Sequence, residues 1–97
     1  EVLGLTLAPL TDEMRSELGV GDDLVGLAVG AVDESSEAFE KGLRPGDVIT
    51  EAGQQKVATI ADFETRVSEV KEAGRKSLLL LVRRGGDPRF VALGIAD

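Results

Sequence analysis

The period of the apolar positions changes several times along the chain, and each change marks an element. Val2–Ala8 partly alternates and is rich in Leu and Val, which predicts a strand stopped by Pro9, a residue without an N–H for a ladder. Thr11 can cap a short helix. Asp12 and Glu13 suit its positive end, Met14 and Leu18 share a face, and Gly19 is the stop. Gly21-Asp22-Asp23 predicts a turn, and the small apolar run Gly26–Val32 a strand packed closely by its neighbours. Asp33–Lys41 predicts about two turns of helix, capped by Ser35 or Ser36, with Ala38 and Phe39 inward and Gly42 as stop.

Leu43-Arg44-Pro45-Gly46-Asp47 places Pro and Gly where a type II turn wants them. Asp47–Ala52 then predicts a strand, and Gly53–Lys56 a hairpin-like link to a short strand at Val57. The clearest helix is Ile60–Ala73: Thr59 and Asp62 form a capping-box pair, Gly74 is the stop, and Ile60, Phe63, Val67 and Val70 make one apolar stripe. Ser77–Arg83 and Arg89–Ile95 predict a closing hairpin around Gly85-Gly86-Asp87. Five or six short strands with a few helices predict one α+β domain over 1–97, a partly closed antiparallel sheet capped by two or three helices. No Pro/Ser-rich linker, internal repeat or low-complexity tract interrupts it.

Composition removes most chemistry. Among 97 residues there is no His, Cys, Trp or Tyr and only three Phe. A thiolate, a His general base, a His or Cys metal site and a Ser-His-Asp triad are therefore excluded, and with them an autonomous enzyme; no cofactor is implied. A net charge of −7 argues against a nucleic-acid partner. The longest apolar run, Leu78–Val82, is strand-sized, so no membrane insertion is expected, and Glu1 in place of Met points to a piece excised from a longer chain. Residues 1–50 carry a balance of −8 and residues 51–97 one of +1, two differently charged surfaces on one body. The acidic one reads as a solvated face or as a docking site. Gly19-Val20-Gly21 lacks the flanking strand and helix of a phosphate loop, and Asp22-Asp23 and Asp33-Glu34 lack the spacing of a calcium loop.

Three segments carry more information. In Val2-Leu3-Gly4-Leu5-Thr6-Leu7, Gly4 either turns the backbone so that successive N–H groups form a carboxylate nest or is a β-bulge glycine. Gly42–Ile49 is a rigid turn feeding a core strand. The Ile60–Val70 stripe packs on the core, and its breadth also suits the wall of a groove.

Together these segments resemble a PDZ domain in the circularly permuted arrangement of bacterial HtrA-type serine endoproteases. The resemblance covers nearly the whole chain and rests on Gly42-Leu43-Arg44-Pro45-Gly46-Asp47-Val48-Ile49-Thr50, the preceding Ser35-Ser36-Glu37-Ala38, and Leu80-Leu81-Val82-Arg83-Arg84-Gly85-Gly86 with Arg89-Phe90-Val91-Ala92-Leu93. Leu3-Gly4-Leu5-Thr6-Leu7-Ala8-Pro9-Leu10 is more similar to the second, C-terminal PDZ domain of Do/DegP-like periplasmic proteases than to the first. Ala52-Gly53-Gln54-Gln55 departs from the family's Val-Asn-Gly-Gln turn.

The resemblance implies a peptide-binding module. A C-terminal or unfolded apolar segment would pair with the strand at Leu5, Thr6 and Leu7, and amides near Leu3, Gly4 and Leu5 would hold its carboxylate. Phe63, Val67 and Val70 would join Leu3, Leu5 and Leu7 as the pocket walls, with Arg66 near the rim. The other implied partners are the protease domain and neighbouring PDZ domains of the parent, in the periplasm, in envelope protein quality control. The alternative implied role is assembly of the parent into oligomers.

Overall fold

A computed structural model of the chain describes residues 4–21, 24–84 and 87–95. Its elements run β1 (Leu5–Pro9), α1 (Asp12–Leu18), β2 (Leu27–Val32), α2 (Glu37–Glu40), β3 (Val48–Ala52), β4 (Gln55–Lys56), α3 (Ile60–Glu72), β5 (Ser77–Arg84) and β6 (Asp87–Gly94). Every strand pair is antiparallel, in the order β1-β2-β3-β5-β6, with the short β4 paired to β3. Among the described residues the six strands do not close into a barrel, so β1 and β6 are the two edges of an open sheet. With three helices, this is the α+β architecture the pattern predicts.

Alternation along the strands divides the apolar residues between two faces. Leu5, Leu7, Leu27, Val29, Ile49, Leu80 and Val82 point to one side, where Phe63 and Val67 of α3 complete the main core. Phe63, Leu5 and Leu80 are fully buried, each contributing roughly 1.5–3 kcal/mol by removal from water. The opposite face carries a smaller cluster, Leu10, Ala28 and Val48, covered by Met14 and Leu18 of α1. Helix starts follow the local signals. Thr11 accepts from the Met14 N–H, Ser36 from the Phe39 N–H, and Thr59 and Asp62 form the reciprocal capping box.

Four expectations change. Pro9 lies within β1, opposite Leu27, instead of ending it. The second helix is a single turn, because Asp33 is spent on an Asx-type turn, its Oδ1 accepting from the Ser35 N–H and hydroxyl. Phe39 is half-buried, not inward, and lies under the Arg44 guanidinium 3.8 Å from the ring centre. The short strand after the β3 hairpin is Gln55–Lys56, reached through Gly53 and Gln54, both at positive φ. Val57 follows it as a buried residue outside any strand. The predicted turns at Asp22-Asp23 and Gly85-Gly86 lie outside the described residues.

Candidate functional site

The free edge of β1 is defined by its hydrogen-bond parity. Leu10 donates to the Gly26 carbonyl (3.1 Å) and Gly4 accepts from the Asp33 N–H (2.8 Å), so the Gly4 carbonyl, the backbone groups of Thr6 and Ala8 and the Leu10 N–H turn toward β2. Leu5, Leu7 and Pro9 therefore turn theirs outward, to the side where the sheet has no further strand among the described residues. Pro9 is tolerated inside β1 for this reason: the N–H it lacks would face outward. A bulge between Thr6 and Leu7, opposite Gly30, keeps the parity consistent at both ends.

Gly4 begins this edge at φ 81°, a conformation that favours glycine. A Cβ at Gly4 would also lie 2.5 Å from the Ser36 Cβ and 2.8 Å from its hydroxyl. Gly4 is thus held against the turn that starts α2, where the Ser36 hydroxyl donates to the Asp33 carbonyl (2.6 Å). The Ser35 backbone N–H, followed by its hydroxyl, lowers the pKa of Asp33 below the ordinary carboxylate range.

The predicted wall residues separate into three groups. Leu5, Leu7, Phe63 and Val67 share the main core, with Val70 packed at its margin and half-buried. Thr6 is exposed on the opposite face and paired through its backbone register to Ala31. Arg66 is bonded to Glu69 one turn on (3.1 Å), and with Val70 it lines a cleft of about 260 Å³ against Gly53 and Gln55 of the β3–β4 hairpin. Leu3 lies outside the described residues. The side chains beside the edge leave little open surface: Leu5 and Phe63 are 0% exposed, Val67 8% and Leu7 9%.

The strongest polar anchor was not legible as a pair. Asp47, 1% exposed, accepts from Arg84 Nε (2.7 Å) and Nη2 (3.0 Å) and from the Arg44 N–H (3.0 Å). Arg84 Nη2 also reaches the Gly42 carbonyl (2.8 Å). The bidentate bonds to Asp47, then its charge, raise the Arg84 pKa above the usual arginine value. This clamp fastens the 42–47 turn to the end of β5. Its only sequence signal is an acid at the mouth of an apolar strand. Among the described residues no cluster of acidic groups has the geometry of a metal site, and no helix is long and apolar enough to cross a membrane.

Against known proteins, the PDZ domain family matches residues 2–94. A Bartonella henselae protein named as a DegP-like periplasmic serine endoprotease is 40% identical over 89 residues, 88% of this chain. The chain spans 18% of that relative's length. Among solved structures, the HtrA3 PDZ domain bound to a phage-derived ligand, FGRWV, superposes with a TM-score of 0.74 at 23% identity, covering 95% of this chain and 81% of that one. The HtrA-type protease AlgW with a decapeptide gives a TM-score of 0.69 at 26% identity, over 95% of this chain and 27% of that one.

Proposed function

The chain belongs to the PDZ domain family, and we propose that it binds the C-terminal end of extended apolar polypeptide segments along the outer edge of β1. The observation that carries this is the parity of β1: Leu5 and Leu7 turn both N–H and C=O outward beside α3. A ligand strand pairs antiparallel with these groups, and its terminal carboxylate sits at the amides of Leu3, Gly4 and Leu5, where the left-handed Gly4 favours a nest. The final apolar side chain enters between Leu7, Val67 and Val70, above the buried Leu5 and Phe63. Thr6 contributes through its place in the ladder, and Arg66, held by Glu69, stands at the hairpin side of the helix.

Two features make binding weak. Pro9 offers no donor, so the ladder spans about four residues. Leu5, Leu7, Phe63 and Val67 are buried, so entry of an apolar side chain requires some of them to shift. Dissociation constants on the order of micromolar or higher follow. In this reading the domain is the second PDZ module of a periplasmic serine endopeptidase, presenting misfolded envelope proteins to the protease domain.

Titration of the isotope-labelled chain with a Trp-bearing, apolar-ended peptide tests it, once as the free acid and once as the amide. The free acid shifts the Gly4, Leu5 and Leu7 amides and the amide form binds far more weakly. Equal binding of both forms, or no response at these residues, rejects the carboxylate clamp.

A further inference from the structure

The far edge of the sheet, β6, has its own unspent groups. The bond from the Ile95 N–H to the Lys76 carbonyl (2.8 Å) sets the alternation. Leu93, Val91 and Arg89 turn their backbone toward β5; Gly94, Ala92, Phe90 and Pro88 turn theirs outward. The outward row is closed at both ends. Gly94 already donates its N–H to Glu37 Oε2 (2.6 Å), and Pro88 has none to give. Between them, Phe90 and Ala92 direct N–H and C=O to a side with no further strand among the described residues. Their side chains are on the solvent face: Phe90 is 67% exposed, and across the β5–β6 ladder Leu79, opposite Ala92, is 37% exposed. Leu81, opposite Phe90, is half-buried.

We propose that β6 is a second docking edge whose partner is another copy of this chain, paired antiparallel about a two-fold axis at Val91. The edge is complementary to itself. Centring the pair on Val91 sets Phe90 against Ala92 of the second copy and Ala92 against its Phe90, which uses every outward donor and acceptor of both residues. Beyond these two pairs the strands part, because Glu37 fills the place opposite the Gly94 N–H and Pro88 has no N–H to give. Centring on Phe90 or on Ala92 instead strands a carbonyl of the other residue. The same register extends an apolar row across the junction: Leu81, Phe90, then Ala92 and Leu79 of the second copy, a large side chain beside a small one. So short an edge buries little area, and the dissociation constant is on the order of 100 µM.

Sedimentation of the chain from about 10 µM to about 1 mM, with amide spectra over the same range, tests this. The mass rises toward twice that of one chain, and the Phe90 and Ala92 amides move with it. Two variants spare the fold. Ala92→Pro deletes an N–H turned away from β5, and Phe90→Lys alters an exposed side chain. Both weaken association at least tenfold while the far-ultraviolet spectrum is unchanged. A single-chain mass throughout, association of both variants equal to the parent's, or concentration-dependent shifts at Leu5 and Leu7 in place of Phe90 and Ala92 would overturn the proposal.

Discussion

β1 and β6 border the same sheet, and each carries a proline whose missing N–H would face outward, yet they are held by different forces. At β1 the outward-turned residues Leu5 and Leu7 send their side chains into the main core, against Phe63 and Val67. At β6 the outward-turned residues Phe90 and Ala92 send theirs to solvent. That strand is fixed instead by the inward Val91 and Leu93 and by polar ties. Glu37 holds Gly94, and the Asp47–Arg84 clamp holds the β5 end of the hairpin. Edge backbone is therefore offered in two ways. At β1 a visitor meets main chain lying beside a helix and over a dry floor. At β6 it meets main chain together with exposed apolar side chains. The first arrangement suits a peptide that needs a pocket, the second a surface like itself.

Removing the floor of the first edge has the largest expected effect. Phe63→Ala leaves a cavity under Leu5 and destabilises the chain by about 3–5 kcal/mol in urea unfolding. A loss below about 1 kcal/mol would mean that α3 does not anchor β1. Asp47→Ala strikes the clamp on the other side. It strips Arg84 and the Arg44 N–H of an acceptor, and because Arg84 is 47% exposed the loss is about 2–3 kcal/mol, read by the same unfolding. Gly4→Val separates the edges. Strain at positive φ and the approach of Ser36 cost about 1–3 kcal/mol and abolish peptide binding, whereas self-association through β6 persists.

Glu37→Gln tests the far end of β6. It keeps an acceptor for the Gly94 N–H but loses the charge, so stability falls by about 1 kcal/mol or less. Exchange of the Gly94 amide quickens while that of Leu7 is unchanged. The smallest effect is with pH. The Ala58 N–H, ahead of those from Thr59, lowers the Asp62 pKa, as the Ser35 N–H lowers that of Asp33. A depressed folded pKa contributes stability present above the unfolded value and lost as pH falls through the folded one. Carboxyl titrations by NMR should give midpoints for both below the ordinary Asp range. A midpoint at the ordinary value for either would remove its hydrogen bonds from the account.

What could be read from the sequence was local. The Thr11 and Thr59 caps, the turn ending at Gly46 and the stripe on α3 depend on residues within a turn of one another, and each forms as its spacing predicts. Parity across a ladder is not local. Pro9 belongs to β1 only because the register with Leu27 turns its nitrogen outward, and nothing near Pro9 encodes that register. The Asp47–Arg84 clamp joins residues 37 apart, beyond any periodic signal. The length of α2 failed for a competing local reason: Asp33 prefers the turn at Ser35 to a place in the helix. At the site, the apolar walls follow from the stripe, but which backbone groups face outward follows only from the pairing of β1 with β2.

The small cluster on the back of the sheet also sets an order of events. None of the residues of α1 is fully buried, and its helix rests on the small cluster of Leu10, Ala28 and Val48. It can therefore lift away while the rest of the sheet stays shut, a separate unit of opening with a smaller free energy than that of the whole molecule. Amide protons of α1 exchange before those of α3, and a protease finds its first cut near Met14 rather than in the hairpin that closes the chain.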